Sequence, residues 1–459
     1  MQGEIIISIV LFFCLFFGFI SVFQIVSKKT AFPFTVAILI AGFITQFIFY
    51  YFGYGIDIKL DSTIIYYLLL PLLLFESAIH INFHQFRLQF WTIAFMSTFG
   101  LLVSLFVIGF GLNWVLGLPL GMALLFGALI SATDPIAVLS IFKSLGAPKR
   151  LSLIADGESM FNDATAVIAF RVISGFALAG TYIQGEKIFV SFGNFLYMFI
   201  GSLLVGALLG YLGSELIRKV KNNHLVEVSI TLSLALGAFI ISEHFLYLSG
   251  VITVVIAGLV FGNLGKTRIS YSVSRFVSRT WEYIAFVAVS LVFFFASFQL
   301  DVSLLLSQFD KLHIVILLVL MARAISVYLS FYISNKLVFF KNEPDVPLKW
   351  QHILNWGGLR GVIPLVLAYS IPDSYLYKNY VLSFTLATLV FTLLINALTI
   401  RWLLVKLGLH LPKKEEEILK EQLEIFDVEK RRDLLADLPE RDFYKELVDI
   451  ASVKLDQEE

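Results

Sequence analysis

Charge is what this chain has little of. Only 15% of its 459 residues are Asp, Glu, Lys or Arg, against 58% hydrophobic ones, and a soluble fold of that length needs far more polar surface. The 34 acidic and 34 basic residues cancel, so no bulk field exists to draw nucleic acid to the chain. Cysteine is almost absent: Cys14 stands alone inside an apolar run. That excludes an intrachain disulfide framework and a cysteine metal site, and leaves Cys14 as packing. No glycine-rich phosphate loop, HExxH pair or GxSxG elbow occurs. With no nucleophile–base or metal constellation either, the chain is not read as an enzyme and no cofactor is expected.

What is abundant is apolar sequence. Runs of about 20 residues, enough to cross ~30 Å of hydrocarbon, recur from end to end, and mean hydropathy is +0.86. A membrane barrel would show short alternating segments instead, so the expectation is an all-α polytopic membrane protein in a lipid bilayer. Charged or turn-rich breaks divide it into about 13 spans, near 5–26, 32–52, 62–80, 89–113, 118–142, 152–180, 188–217, 225–243, 249–263, 277–298, 312–338, 351–371 and 379–405. The first run carries Glu4, lacks a basic leader and is too long for a signal peptide, so it is expected to be retained.

Lysine and arginine alternate from loop to loop. One set of loops holds Lys28, Lys29, Arg87, Lys143, Lys149, Arg150, Arg218, Lys219 and Lys221, then Lys266, Arg268, Arg275, Arg279, Lys336, Lys341 and Lys349. The intervening loops hold only Lys59, Lys187, Lys311 and Lys378. Under the positive-inside rule the basic loops are cytoplasmic, the N-terminus is outside and the C-terminus inside. After Leu411 the chain turns polar, and Ile418, Leu419, Leu423 and Ile425 recur at helical spacing until Pro439. Residues 412–459 are therefore expected to form a cytoplasmic tail.

Against this background a few polar residues stand out. The fifth span contains "LISATDPIAVLS", with Thr133, Asp134 and Pro135 near its middle. Proline removes a backbone donor, clashes with the preceding turn and pushes residue 134 out of the helical region. A span broken at that depth is tolerable where protein or a water-filled cavity satisfies its free backbone groups. Asp134 fits either a cap for the exposed helix end or an ion ligand. The twelfth span contains "WGGLRGVIPL", broken in the same way by Gly357, Gly358, Gly361 and Pro364. The two broken spans are seven apart and so cross in opposite directions, the pattern of inverted repeats flanking a transporter's binding site.

The sixth span reads "LIADGESMFNDATAVIAFRV". On a helix, Ser159 and Asp163 share one face, and Glu158 and Asn162 an adjacent one. Intramembrane carboxylates are costly and mark functional sites unless paired. Glu158 needs a basic partner; Arg323 of the eleventh span is the first candidate and Arg360 of the twelfth the second. A structural Glu158–Arg323 pair would leave Asp163 with no fixed counter-ion. Desolvation penalises the charge on such a carboxylate, so a proton and a metal cation can compete for its oxygens, with Ser159 adding a hard oxygen. Alternate loading by H+ and a cation is antiport. Glu76, in "LLPLLLFESAIHINFHQF", fits a ligand or the lining of an access funnel. His80 and His84 lie at i and i+4 without a third ligand and are read as interfacial. The run "GSLLVGALLG" of the seventh span suits close helix packing.

Together these motifs resemble the sodium/proton exchangers of the cation:proton antiporter superfamily, in the prokaryotic part of the NhaP/NHE branch. "FESAIHINF", "SATDPIAVLSIFK", "DGESMFNDATAV", "ARAISV" and "GGLRGVIP" stand in that family's order, from the third span to the thirteenth. The resemblance implies an NhaA-like antiporter fold of 13 helices in two inverted six-helix repeats, working as a homodimer in the plasma membrane. The core domain would come from about 89–185 and 312–408, the dimerisation part from about 1–88 and 225–298, and a linker helix from about 188–217, all within an exchanger domain of residues 1–411. Asp163 would carry cation and proton in turn; Asn162 would brace the crossing through Thr133. Thr133, Ser159 and Asp134 would offer oxygens to Na+, and Glu76 would be an accessory ligand. Glu158 would pair with Arg323, and Arg360 would neutralise the crossing. Asn162–Asp163, in place of two adjacent aspartates, resembles the electroneutral branch, one H+ per cation. Na+ or Li+ is the expected cargo. K+ or broad monovalent exchange, and a gated cation channel, remain the alternatives.

Overall fold

A computed structural model describes residues 2–30, 34–51, 62–81, 87, 89–179, 185–220, 223–265, 271–299, 308–336 and 345–409. The tail expected over 412–459, His84 and the loop charges Lys59, Lys221, Lys266, Arg268 and Lys341 lie outside these residues. Every regular element among the described residues is helical.

In chain order the helices are α1 (Gln2–Thr30), α2 (Phe34–Tyr51) and α3, which joins Ser62–Ile64, Ile65–Leu69 and Leu70–Ile79. Next come α4 (Phe90–Leu116), the broken α5 with halves α5a (Leu120–Ile130) and α5b (Ile136–Leu145), and α6 (Lys149–Ala179). Then follow α7 (Gly185–Lys219), α8 (His224–Phe245), α9 (Gly250–Leu264) and α10 (Tyr271–Gln299). The last are α11 (Phe309–Ser334), the broken α12 with halves α12a (Leu348–Trp356) and α12b (Val362–Tyr369), and α13 (Lys378–Lys406).

Six of these stretches among the described residues are long and apolar enough to cross a membrane: α4, α8, α11, α13 and the parts of α7 and α10 over Tyr197–Lys219 and Arg275–Phe298. Large apolar side chains cover the outside; Trp114 is 88% exposed and Leu204 66%. In water so much exposed apolar surface would drive association, whereas lipid tails solvate it. The chain is an all-helical membrane protein.

Without a hydrophobic force between helices in lipid, close packing needs small residues. Gly206 and Gly210 of α7 put their backbone on α9: a Cβ on either would stand 2.7 Å from the carbonyl oxygens of Thr253 and Ala257 respectively. Gly127 does the same for α5a on Leu105 of α4, again at 2.7 Å. Aromatic rings lock α1 to α10, with Phe12 and Phe16 edge-on to Phe294 at 5.4 and 5.3 Å. Single π turns interrupt α3 at Ile65–Leu69, α4 at Met96–Gly100, α8 at Ile241–Phe245 and α13 at Thr392–Asn396. Such turns are rare and cluster at functional sites; three of the four reach the regions described below.

Candidate ion-binding site

The two broken helices meet at their breaks. The Asp134 amide donates to the Leu359 carbonyl at 2.8 Å, tying the gap of α5 to the gap of α12. Ending α5a at Ile130 orphans carbonyls at the negative end of its dipole. Arg360, 1% exposed, answers them: its Nη1 donates to the carbonyls of Ser131 at 3.1 Å and Ala132 at 3.2 Å. Its own amide donates to Thr392 Oγ1 in the π turn of α13, at 3.2 Å.

Each broken end is also held by an asparagine from the next helix. Asn162 of α6 donates Nδ2 to the Ser131 carbonyl at 3.1 Å, and Asn396 of α13 donates Nδ2 to the Trp356 carbonyl at 3.1 Å. Asn162 also reaches Thr133 Oγ1 at 3.2 Å and Glu158 Oε1 at 3.1 Å. Since the Ser131 carbonyl and the Glu158 carboxylate only accept, the amide nitrogen is the end that belongs there. Ser159 Oγ donates to the Thr133 carbonyl, leaving its lone pairs available to a cation.

Glu158 and Arg323 form a buried, two-pronged pair, Nη1 to Oε1 at 2.9 Å and Nη2 to Oε2 at 3.2 Å. Arg323 Nη2 also donates to the Leu354 carbonyl of α12a at 3.0 Å, so one guanidinium joins α6, α11 and α12a. Gly358 leaves it room: a Cβ there would stand 2.5 Å from Arg323 Nε. Charge-assisted bonds of this fork-to-fork kind are strong and directional.

Asp163 is different. It makes no hydrogen bond or ion pair with any described residue and lines a cavity of about 80 Å3 beside the crossing. Thr133, Asp134, Ser159 and Glu76 line the same cavity, with Gly361 and Pro364 from α12. Gly361 lies against the Asp134 carboxylate, where a Cβ would collide with it. Leu73, Leu74 and Ser77 of α3 and Ala285 and Val289 of α10 complete the lining. The nine site residues expected from the sequence thus lie at the crossing, in two sets. Glu158, Arg323, Asn162 and Arg360 hold helices together, while Asp163, Ser159, Thr133, Asp134 and Glu76 face the cavity.

Among the described residues no three of His, Cys, Asp and Glu stand close enough to grip a metal by themselves. A cation here would share one or two carboxylates with hydroxyl oxygens, a donor set for a loosely held hard ion. His80 does not enlarge the set; its Nδ1 lies 2.9 Å from the Glu76 carbonyl and 3.5 Å from Glu76 Oε1, an intrahelical contact.

Sequence reasoning misses three participants. Asp156 lines the cavity three residues before Ser159 and seven before Asp163, one helical face of α6; that spacing was the available signal. Thr392 and Asn396 carry no signal of their own, being ordinary polar residues in a span without proline or glycine.

The chain matches the family described as "Sodium/hydrogen exchanger, transmembrane" over residues 9–406. It is 36% identical to the Na+/H+ antiporter NhaH of Halobacillus dabanensis over 345 residues, 74% of this chain and 82% of that one. It is 34% identical to the Na+/H+ antiporter NhaG of Bacillus atrophaeus over 402 residues, 85% of this chain and 73% of that one. Its fold is similar to that of the sodium proton antiporter MjNhaP1 from Methanocaldococcus jannaschii, with a TM-score of 0.73 and 21% identity across 88% of this chain and 99% of that one. The chain belongs to the sodium/hydrogen exchanger family.

Proposed function

We propose that this chain is a secondary active antiporter of the plasma membrane that exchanges Na+ or Li+ for H+, one for one, without moving net charge. One observation carries the reading: Asp163 faces a cavity at the crossing without a fixed counter-ion, whereas Glu158, five residues earlier, is neutralised by Arg323. A single free carboxylate can hold one proton or one monovalent cation. Ser159, Thr133, Asp134 and Glu76 would complete the cation's oxygen shell, directly or through water, and Arg360 would neutralise the crossing.

In this reading all 13 helices span the bilayer in two inverted repeats, and the core (about 89–185 and 312–408) moves against the dimerisation part (about 1–88 and 225–298). Helix α7 links them. The N-terminus is outside, and the protein works as a homodimer. Support for the repeat comes from the two asparagines, which hold the broken ends of α5a and α12a in the same way from the helix that follows each. Support for a moving boundary comes from the cavity lining, which α5, α6 and α12 share with α3 and α10.

The test is flux in proteoliposomes carrying an internal pH dye, with Na+, Li+ or K+ added and the membrane potential clamped or free. We expect cation-driven proton efflux that ignores the potential, and Asp163→Asn reduced to the level of empty liposomes while still folded. The ranking of ions names the cargo. Flux that follows the potential would remove the one-carboxylate mechanism, and Na+-dependent proton flux retained by Asp163→Asn would remove the site.

A further inference from the structure

A second cavity lies in line with the first. The one holding Asp163 is bordered on α6 by Asp156, Ser159 and Asp163. The other, of about 250 Å3, is bordered on α6 by Val167, Phe170 and Arg171. Along α12b the border moves likewise from Val362 and Pro364 to Leu367 and to Ser370 just past its end, and on α3 from Leu73 and Leu74 back to Tyr66 and Thr63. The border advances along α6 and α12b and retreats along α3, so the two cavities follow one another between the same three helices. One cleft between the same three helices therefore holds two chambers. The turns between them contain the buried Leu70, Ala166 and Val366.

Arg171 and Tyr66 line the far chamber. Arg171 of α6 is ion-paired with Glu243 of α8. Glu243 Oε1 also accepts from the Tyr66 hydroxyl of α3 at 3.4 Å, and Oε2 accepts from the Gly250 amide of α9 at 3.0 Å. The Arg171 guanidinium lies over the Tyr66 ring, 5.6 Å from its centre. Three of these four helices belong to the dimerisation part of the proposed architecture, and α6 belongs to the core.

Two features separate this pair from Glu158–Arg323. Its side chains are 23% and 13% exposed, against 7% and 4% for Arg323 and Glu158, so it is less tightly enclosed, and Arg171 borders the larger chamber. Tyr66 and Glu243 both sit in π turns, those of α3 and α8, where an extra residue per turn lets a helix shift locally.

We propose that Arg171 and Glu243, steadied by Tyr66, form the gate at the end of α6 away from Asp156. The pair holds the core against the dimerisation part while Asp163 faces the Asp156 side, and it parts when Asp163 turns to the other. Arg171 and Glu243 are positioning residues: they touch no ion, and they set which side Asp163 sees. The proposal rests on the antiporter reading and gives its alternating access a named contact.

The test uses the full chain in oriented vesicles, with Cys14→Ser removing the only native thiol and Val167→Cys placed on the wall of the far chamber. A membrane-impermeant thiol reagent is applied from the side where α6 ends. Glu243→Gln removes the charge without changing the volume, and labelling should speed up about tenfold as the closed population falls. Tyr66→Phe should give a smaller increase, and the charge-swapped pair Arg171→Glu with Glu243→Arg should return towards the parent rate. Equal labelling in the parent, Glu243→Gln and Tyr66→Phe would overturn the gate. Should Glu243→Gln not fold, Tyr66→Phe and the swapped pair carry the comparison. Labelling needs no transport and is repeated with Asp163→Asn. Normal exchange in the parent with unchanged labelling defeats the gate alone; no exchange in the parent defeats the antiporter reading instead.

Discussion

Glu158 and Asp163 occupy one helix, and their neighbours give them opposite duties. Glu158 is met by a two-pronged guanidinium and an asparagine amide, so its charge is spent on joining α6 to α11. Removing one partner of a buried pair leaves the other charge uncompensated and costs roughly 3–5 kcal/mol, whereas replacing both with apolar groups is often harmless. Arg323→Ala should therefore lower thermal stability in detergent sharply, and the double change Glu158→Leu with Arg323→Met should recover much of the loss. The cation KM of whatever protein folds should stay within a few-fold of the parent. A normally folded Arg323→Ala with cation affinity shifted about a hundredfold, ~2.7 kcal/mol, would make the pair part of the ion site.

Among the elements, the broken helices matter most, and glycine is what lets them touch. At Gly361 a Cβ would collide with the Asp134 carboxylate, and at Gly358 one would press on Arg323 Nε at 2.5 Å. Overpacking of this kind costs typically ~1–3 kcal/mol. Gly361→Ala should depress exchange more than stability, since the atoms it displaces border the cavity; Gly358→Ala should depress stability more, since it strikes the structural pair. Exchange rate and melting temperature measured on both variants check the contrast. The same outcome for both would mean the crossing acts as one rigid block.

The proposed competition for a single carboxylate belongs to the whole transport cycle. In the proposed cycle protons fill Asp163 as the pH falls, and more Na+ is needed to displace them. By mass action the apparent KM for Na+ should rise, approaching about tenfold per pH unit once the protonated form dominates, with the maximal rate unchanged. Initial rates over a grid of pH and Na+ concentration test this. A maximal rate that falls at constant KM would place the controlling proton elsewhere. The gate adds a second whole-molecule expectation, since loosening Arg171–Glu243 biases which face is open without touching Asp163.

Much of this was legible in the chain itself because lipid makes polar residues conspicuous. Apolar runs separated by basic loops specify helices in a membrane, and Pro135, Gly357, Gly358, Gly361 and Pro364 mark where two of them break. Those features are local, set by hydropathy and backbone sterics within a few residues. Partnership is not local. Arg171 meets Glu243 across 72 positions, Glu158 meets Arg323 across 165, and Arg360 meets Ser131 across 229. Asn396 becomes a cap only because α13 passes the end of α12a. Sequence by itself determined a membrane bundle with two interrupted helices and a short set of intramembrane acids. Which acid is neutralised, which faces a cavity and which ties one part of the bundle to the other was decided by the tertiary structure, because pairing energies depend on distances that only packing sets.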